Sequence, residues 1–306
     1  MTPDVLVLGA GSAGTRHARN LAALGARVTV VDTDPAAGGM TGQLGGHDGI
    51  VIATPSALHR DHALAALDAG AKAVLVEKPL ATSIDGLDEL VDAAGDRFTV
   101  GYNLRLHRPV ERLRELLEVG AAGTIAHAHA WFGSWLPDWR PGTDHRLAYS
   151  ARADLGGGVL WDASHELDLL VWLFGPAWSV EGAVLAARSD VTVDVEDVAT
   201  ALLRSGDGIP ASVGLDYVSR RYRRGVEIVG DEATLRLDWA AGELTVEGPD
   251  GVTVERVDVP VDESYEREAS AFLAMVDGSA PPTVPAADAA VTVRLCAAIR
   301  DAAAVT

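Results

Sequence analysis

Residues 5–14 read Val-Leu-Val-Leu-Gly-Ala-Gly-Ser-Ala-Gly, an apolar run that breaks into three closely spaced glycines. The run predicts a buried strand, and the apolar spacing of 13–24 predicts a helix directly after it. Gly9 allows a tight turn between them, Gly11 lets a ligand approach the backbone, and Gly14 lets the helix pack on the strand. The N–H groups at the start of such a helix favour a phosphate group.

This stretch therefore predicts a dinucleotide-binding turn, and the alternative is a glycine-rich turn in another kind of α/β domain. The residues expected to contact the cofactor are Gly9, Gly11, Ser12, Ala13 and Gly14.

The end of the next apolar run indicates which dinucleotide is bound. Arg27–Val31 stops at Asp32, which lies 18 residues after Gly14. An acidic residue at this distance binds the ribose hydroxyls of NAD and repels the 2′-phosphate of NADP. Asp34 adds a second negative charge, and no arginine follows the strand directly. The sequence therefore favours NAD as the cofactor, with NADP as the weaker alternative.

The composition limits the kinds of partner. The chain has 306 residues, enough for about two domains of ordinary size. Its net charge is −19 and its longest basic block, 220–224, is short, so nucleic acids and anionic membrane surfaces are poor partners. The single cysteine, Cys296, rules out an intrachain disulfide and a cysteine-based metal cluster. No apolar run approaches the ~18 residues that span a bilayer, and no signal-peptide pattern precedes the first strand, so we expect a cytoplasmic protein.

The order of predicted elements changes near residue 120. Strands and helices alternate before it, which predicts a Rossmann-type parallel sheet with covering helices. After it, sequential strands with short turns predict a mostly antiparallel open sheet, interrupted by a long helix over Leu160–Leu173. We therefore predict an α/β dinucleotide-binding domain, 1–119, followed by an α+β domain for substrate binding and oligomerisation, 120–306.

The segment after Asp32 is unusually short. Only 16 glycine-rich residues separate Asp32 from the strand predicted at 49–53. A full helix–strand–helix crossover needs roughly twice that length. We therefore expect the usual third strand and one helix to be missing or reduced to a loop.

Two turns of the predicted parallel sheet carry candidate site residues. Ligands in such sheets lie beyond the carboxyl ends of the strands. Thr54 and Pro55 end one strand and lead to His59, which is either a cofactor contact or a surface residue at a helix start. Glu77 and Lys78 follow the next apolar strand, so Lys78 is expected to point into the ligand crevice, although an arbitrary lysine is usually a surface ion-pair residue.

The third candidate is the stretch 156–175, which begins with three glycines. On one continuous helix, Asp162, His165 and Asp168 share a face at three-residue spacing. A histidine near a carboxylate is a plausible general base, and the alternative is a neutral core histidine on a capped helix. The spacing is not that of an HExxH zinc motif, so we expect no metal, and no GxSxG or P-loop motif indicates a hydrolase or NTPase.

Five motifs together resemble one family. They are, in chain order, Gly9–Leu21 (GAGSAGTRHARNL), Ala53–His59 (ATPSALH), Glu77-Lys78-Pro79, Gly101–Arg105 (GYNLR) and Gly156–Gly175. Over nearly its full length the chain resembles the glucose–fructose oxidoreductase and inositol dehydrogenase (Gfo/Idh/MocA) family. The resemblance implies an NAD(P)-dependent oxidoreductase that transfers a hydride to or from a carbinol or keto carbon of a sugar, nucleotide sugar or cyclitol.

The resemblance also implies roles for residues. Lys78 would hydrogen-bond the reacting oxygen and His165 would exchange its proton. Asp162, Tyr102 and Asn103 would orient the substrate or the nicotinamide. Family members often carry an aspartate four residues before the histidine, whereas this chain has Trp161 there and Asp162 one position later. The open sheet would form a homodimer or homotetramer interface.

Three arginines lie in a segment that resembles members from nucleotide-sugar and surface-polysaccharide metabolism, Trp135–Arg152. Arg140, Arg146 and Arg152 could bind a phosphate or carboxylate of the substrate, and the alternative is a solvated loop. Two further function classes stay open. One is a lyase or hydrolase that retains NAD and oxidises its substrate transiently, and the other is a non-catalytic cofactor-binding protein.

Overall fold

The chain forms two compact units, each built from two separate stretches of sequence. The computed structural model describes residues 2–32, 43–192, 194–257 and 260–304. The first unit comprises Met1–Asn103 and Asp262–Val293, and the second comprises Leu104–Val261 and Arg294–Thr306. The domain division at 119/120 stays a prediction; the compact units place 104–119 in the second unit and 262–293 in the first.

The first unit is built on a parallel sheet. Its five strands are β1 (Asp4–Leu8), β2 (Arg27–Val31), β3 (Gly49–Ile52), β4 (Ala73–Val76) and β5 (Phe98–Val100), in the order β2-β1-β3-β4-β5. Its helices within the first stretch are α1 (Ser12–Ala23), α2 (His59–Asp68) and α3 (Leu87–Ala94). Strands β3 and β4 are buried along their whole length, as their uninterrupted apolar sequences predict. The predicted Rossmann-type domain is confirmed.

The second unit is built on an eight-stranded sheet. The strands are β6 (Ile125–Gly133), β7 (Trp178–Ala186), β8 (Val198–Ser205), β9 (Pro210–Asp216), β10 (Arg223–Gly230), β11 (Thr234–Asp238), β12 (Glu243–Gly248) and β13 (Gly251–Arg256). Their order is β13-β12-β11-β10-β6-β9-β8-β7. Among the described strands of this second sheet, β6 and β9 form the one parallel pair, and the other neighbouring strands are antiparallel. The predicted mostly antiparallel sheet is confirmed, and β13 is a strand that the sequence did not predict.

The remaining helices are α4 (Arg108–Glu118), α5 (Val159–Asp162), α6 (His165–Phe174), α7 (Val261–Val276) and α8 (Ala286–Ala304). Of these, α7 belongs to the core of the first unit. Its Phe272 and Met275 pack in one apolar cluster with Val5 and Val51 of the parallel sheet. No helix within the described ranges is long and apolar enough to cross a membrane.

The single helix predicted over Leu160–Leu173 is wrong. The structure has two helices, α5 and α6, and Ala163 and Ser164 lie between them. The break directly follows Asp162, whose side chain accepts hydrogen bonds from hydroxyl groups of other segments. Asp162 therefore lies on a different helix from His165 and Asp168, and the predicted common helix face is wrong for Asp162.

The short segment after Asp32 lies largely outside the described residues, because the structure leaves out 33–42. Within the described chain β2 is the edge strand of the parallel sheet, and β3 pairs directly with β1. The expectation that the usual third strand and one helix are missing or reduced to a loop stays a prediction.

Candidate functional site

Gly9 and Gly11 lie between β1 and α1, and Gly14 lies in the first turn of α1. Each of the three positions has its own reason to be glycine. Gly9 has a φ of +99°, and a Cβ there would collide with the carbonyl of Ala53 after β3. A Cβ at Gly14 would collide with the carbonyl of Gly9, so only glycine lets α1 pack this closely on the turn. A Cβ at Gly11 would meet no atom of the described chain within 4 Å. Packing therefore does not explain Gly11, whereas close approach of a pyrophosphate does.

The surroundings of this turn fit a dinucleotide. The N-terminus of α1 follows directly, and its N–H groups are suited to a phosphate. Asp32 is exposed just beyond β2, and its Oδ1 accepts a hydrogen bond from the Ala10 N–H at 3.3 Å. That contact places the carboxylate beside the turn, and the ribose-binding role of Asp32 stays a prediction. Asp34 lies outside the described residues.

Thr54, Pro55 and Lys78 lie at the same edge of the sheet as the glycine turn. Strands β1, β3 and β4 are neighbours and parallel, so the residues after each strand emerge at one edge. Thr54 is 8% exposed and its Oγ1 lies 3.0 Å from His62 Nδ1. Lys78 is half-buried, and its peptide bond to Pro79 is cis. The first unit thus brings together the residues predicted at the three turns.

His59 connects two of these turns. It is 1% exposed, and its Nδ1 lies 2.7 Å from the carbonyl oxygen of Pro79 while its Nε2 lies 2.9 Å from that of Thr54. Burial lowers the pKa of His59, and the two carbonyl contacts oppose this shift. Through these two main-chain contacts, His59 connects the turn after β3 with the loop after β4. A cofactor contact of His59 stays a prediction.

Glu77, Tyr102 and Asn103 lie near the same edge but are turned inward. Glu77 Oε1 lies 2.8 Å from Nε2 of His17 in α1. Tyr102 is 1% exposed, and Asn103 donates from Nδ2 to Ser264 Oγ at 2.7 Å. The substrate or nicotinamide roles of Tyr102 and Asn103 stay predictions.

Asp162 in the second unit has three hydroxyl donors. Tyr149 donates to Oδ1 at 2.7 Å, and Ser150 and Tyr217 donate to Oδ2 at 2.7 and 3.0 Å. Burial and the charge of Asp162 raise the pKa of both tyrosines well above the usual range, so they stay neutral donors. Three hydroxyl groups thus converge on the side chain of Asp162, and the sequence did not indicate the role of Tyr149 or Tyr217.

His165 begins α6, and two buried ion pairs hold this helix. Asp168 accepts hydrogen bonds at both oxygens from Arg105, at 2.9 and 2.7 Å, and both side chains are almost fully buried. Glu166 accepts likewise from Arg224 at 2.6 and 3.2 Å. Bidentate pairs of this kind fix orientation as well as distance. They anchor α6 on both sides of its first turn, so the position of His165, which is 6% exposed, is well defined.

The three arginines of the segment 135–152 differ. Arg146 pairs with Asp144, and Arg152 pairs with Asp154, both at the surface. Arg140 lies over the ring of Tyr149, with its Cζ 5.3 Å from the ring centroid. The pairs of Arg146 and Arg152 are those of a solvated loop, and a substrate contact of Arg152 stays a prediction.

The sequence indicated no role for four residues that are buried or pair with a buried acid: His17, Glu268, Arg105 and Arg224. His17 could have been found, because it lies three residues after Gly14 on the buried face of α1. Arg105 ends the GYNLR motif, but that motif does not indicate its ion pair, and Glu268 and Arg224 lie in none of the five motifs. The partners of Arg105 and Arg224 are 63 and 58 residues away along the chain.

Comparisons with known proteins agree with this architecture. Residues 42–102 match the family model described as "Oxidoreductase family, NAD-binding Rossmann fold", and residues 110–236 match that of the GFO/IDH/MocA C-terminal domain. The fold and the glycine turn define a dinucleotide-dependent oxidoreductase of two-domain type. The chain belongs to the Gfo/Idh/MocA oxidoreductase family, and its first unit contains an NAD-binding Rossmann domain.

Similar proteins include dehydrogenases of cyclic alcohols. The chain is 31% identical to inositol 2-dehydrogenase of Acidothermus cellulolyticus, over 76% of this chain and 71% of that protein. It is 32% identical to 1-carboxy-3-chloro-3,4-dihydroxycyclohexa-1,5-diene dehydrogenase of Comamonas testosteroni, over 54% of this chain but only 41% of that protein. The structure of levoglucosan dehydrogenase in complex with NADH and levoglucosan aligns with a TM-score of 0.85 at 22% identity, covering 99% of this chain and 97% of that chain.

Proposed function

We propose that this protein is an NAD-dependent dehydrogenase that oxidises a secondary alcohol of a sugar, nucleotide sugar or cyclitol, or reduces the corresponding ketone. One observation carries the proposal: Lys78 follows β4 at the edge of the parallel sheet where the glycine turn follows β1. A cation at that edge is suited to stabilise an oxygen that gains negative charge. The names of the similar proteins support a ring that carries secondary alcohols as the substrate.

NAD, when bound, supplies or accepts the hydride. The ammonium group of Lys78 stabilises the developing alkoxide on the substrate, and His165 takes the hydroxyl proton during oxidation and returns it during reduction. Asp162, Tyr102, Asn103 and Arg152 are assigned to substrate hydroxyls or charges. The dinucleotide is assigned to the residues at the three turns and to Asp32: Gly9, Gly11, Ser12, Ala13, Gly14, Asp32, Thr54, Pro55, His59, Glu77 and Lys78.

The test is a panel of cyclitols, sugars and nucleotide sugars, with NAD reduction followed at 340 nm. We expect net NADH formation with at least one cyclic polyol, and loss of about 100-fold or more in kcat for His165→Asn, since a general base contributes about 10²–10⁴-fold. NAD that stays bound through purification, with product formed but no net absorbance change, would contradict this proposal and support a retained-cofactor lyase or hydrolase. NAD binding without turnover of any panel member would support a non-catalytic protein.

The role of Asp32 predicts the cofactor preference. Wild type is expected to prefer NAD, and Asp32→Asn is expected to weaken NAD binding about 10- to 100-fold, because a charge-assisted hydrogen bond to the ribose contributes about 1.5–3 kcal/mol. Titration of each dinucleotide measures this preference. Asp68→Asn, which changes an exposed acid at the end of α2, is the matched control with unchanged affinity. Stronger binding of NADP(H) by the wild type would refute the assignment.

We also infer a homodimer or homotetramer. The open sheet exposes apolar side chains on neighbouring strands, among them Val184 of β7 and Leu202 of β8, each 57% exposed. Light scattering on the purified protein should give two or four times the chain mass, and a monomer at micromolar concentration would contradict the inference. The cytoplasmic location stays a prediction.

A further inference from the structure

Three titratable side chains from separate elements of the first unit form a buried cluster. They are His17 of α1, Glu77 after β4 and Glu268 of α7. His17 is 2% exposed and Glu268 is 6% exposed. The imidazole Nε2 of His17 lies 2.8 Å from Glu77 Oε1, whereas Glu268 Oε2 has no hydrogen-bond partner in the described part of the chain. Buried carboxylates without partners are rare, because desolvation of the charged form is costly.

The protonation states of this cluster follow from its surroundings. Burial raises the pKa of Glu268 to about 8; the charge of Glu77 adds to this shift, and His17 and Arg16 oppose it. Burial alone would lower the pKa of His17, but its hydrogen bond to Glu77 and the nearby negative charges raise that pKa. Burial alone would raise the pKa of Glu77, but His17, Lys78 and His59 lower it. The pKa shifts therefore favour a protonated His17 and an ionised Glu77, while Glu268 keeps its proton to a higher pH than an ordinary glutamate.

The carboxylate of Glu77 also contacts Lys78. Its Oε2 accepts a hydrogen bond from the main-chain N–H of Lys78 at 3.3 Å, while the main-chain N–H of Glu77 bonds to Ile52 O at 2.9 Å. A Cβ at Gly101 would lie 3.4 Å from both Cα and Oε2 of Glu77, so a small residue borders this carboxylate. One oxygen of Glu77 thus contacts α1, and the other contacts the backbone of Lys78.

We propose that Glu77 is a positioning residue for Lys78, and that its contact with His17, in the buried cluster that Glu268 completes, keeps the Glu77 carboxylate oriented. This inference rests on the catalytic role proposed for Lys78. If Glu268 loses its proton, two buried carboxylates compete for one imidazolium in a region of low dielectric constant. His17 then moves away from Glu77. Glu77 therefore no longer connects the backbone of Lys78 to α1. The cluster therefore makes the alignment of Lys78 depend on pH.

The first test replaces the positioning carboxylate. Glu77→Gln keeps the shape of the side chain but loses its charge. We expect kcat to fall roughly 10- to 100-fold, because small misplacements of a catalytic group have effects of this size. The Kd of NADH should change by less than the kcat does, which separates loss of alignment from loss of cofactor binding. A kcat equal to that of the wild type would overturn the proposal.

The second test uses the pH profile. The charged groups that face Glu268 are Arg16 and His17 of α1 and Glu77, so the comparison must change Glu268 alone. Glu268→Gln imitates the neutral acid and cannot ionise. We expect the ratio of kcat at about pH 9 to kcat at about pH 7 to be several-fold higher in Glu268→Gln than in the wild type. Glu266→Gln, an exposed change on the same helix, should follow the wild-type profile. Superimposable profiles for all three proteins would overturn the proposal.

A third measurement needs no substrate. Because the folded-state pKa of Glu268 is raised from 4.5 to about 8, the folded protein binds this proton more tightly than the unfolded chain does. The contribution of Glu268 to stability therefore falls as pH rises from about 4.5 to about 8 and is level above that. The melting temperature of Glu268→Gln, minus that of the wild type, should increase over this range.

The thermal test and the kinetic tests examine different parts of the proposal, and either can fail without the other. A melting-temperature difference that does not change with pH overturns the neutral state of Glu268, whatever the substrate is. Absence of turnover in the wild type overturns the proposed function and with it the positioning role of Glu77. The thermal comparison still decides whether Glu268 keeps its proton in the folded protein.

Discussion

Replacing Lys78 by methionine is expected to lower kcat by about 100- to 1,000-fold, the usual effect of removing one group that stabilises a developing oxyanion. Methionine keeps the length of the aliphatic stem, so the change removes the charge and little of the packing. The glycine turn between β1 and α1 is untouched, and the Kd of NADH should therefore stay within about threefold. Steady-state kinetics with saturating NAD, together with NADH fluorescence titration, measure both quantities.

Lys72→Met is the matched control. Lys72 stands just before β4, is 61% exposed, and forms an ion pair with Asp48. Its loss should leave kcat unchanged, because an exposed pair contributes little even to stability. Turnover close to normal in Lys78→Met would contradict the assignment of the catalytic lysine, and with it the proposed chemistry at this edge of the sheet.

The second large effect is on stability. Asp168→Ala is expected to reduce the free energy of unfolding by about 3–5 kcal/mol, because it leaves the guanidinium of Arg105 buried without its counter-ion. The side chains of this pair are 3% and 1% exposed, so solvent cannot replace the lost carboxylate. Chemical denaturation followed by circular dichroism measures the change.

Two further variants show whether the loss of stability comes from removing one charge of a buried pair or from shortening the side chain. Glu118→Ala breaks the exposed pair with Arg114 on α4 and should cost less than about 0.5 kcal/mol. The double variant Arg105→Met with Asp168→Leu removes both charges and should recover most of the lost stability. An equally unstable double variant would show that the charges themselves are not the cause.

Local sequence patterns predicted the parallel half of the molecule well. Strands β1 to β5 are continuous apolar runs or short apolar segments between turns, so their positions follow from composition and period alone. The glycine turn was equally predictable. Each of its three positions needs glycine for a different geometric reason, and together they give the fixed spacing of the motif. Lys78 could be located because it directly follows a strand whose burial was already evident.

The features that were missed depend on distant partners. The break before His165 follows Asp162, which Tyr149 and Tyr217 contact from other segments, and helix periodicity carries no information about such contacts. Glu268 is one of several acidic residues on α7. Only its burial near His17 of α1 and near Glu77 distinguishes it from its exposed neighbours. Strand β13 does alternate apolar and polar residues, with Val252 and Val254 on one face, but it is short and largely exposed.

The discontinuous composition of the first unit has a consequence for biosynthesis. Phe272 and Met275 of α7 complete the apolar cluster around Val5 and Val51, yet they are translated more than 200 residues later. While the intervening chain emerges from the ribosome, the nascent Rossmann sheet has an uncovered apolar face. Synthesis of α7 is therefore the step that commits this unit to its native state, and a ribosome-bound chain arrested before residue 261 should remain sensitive to protease in its first 100 residues.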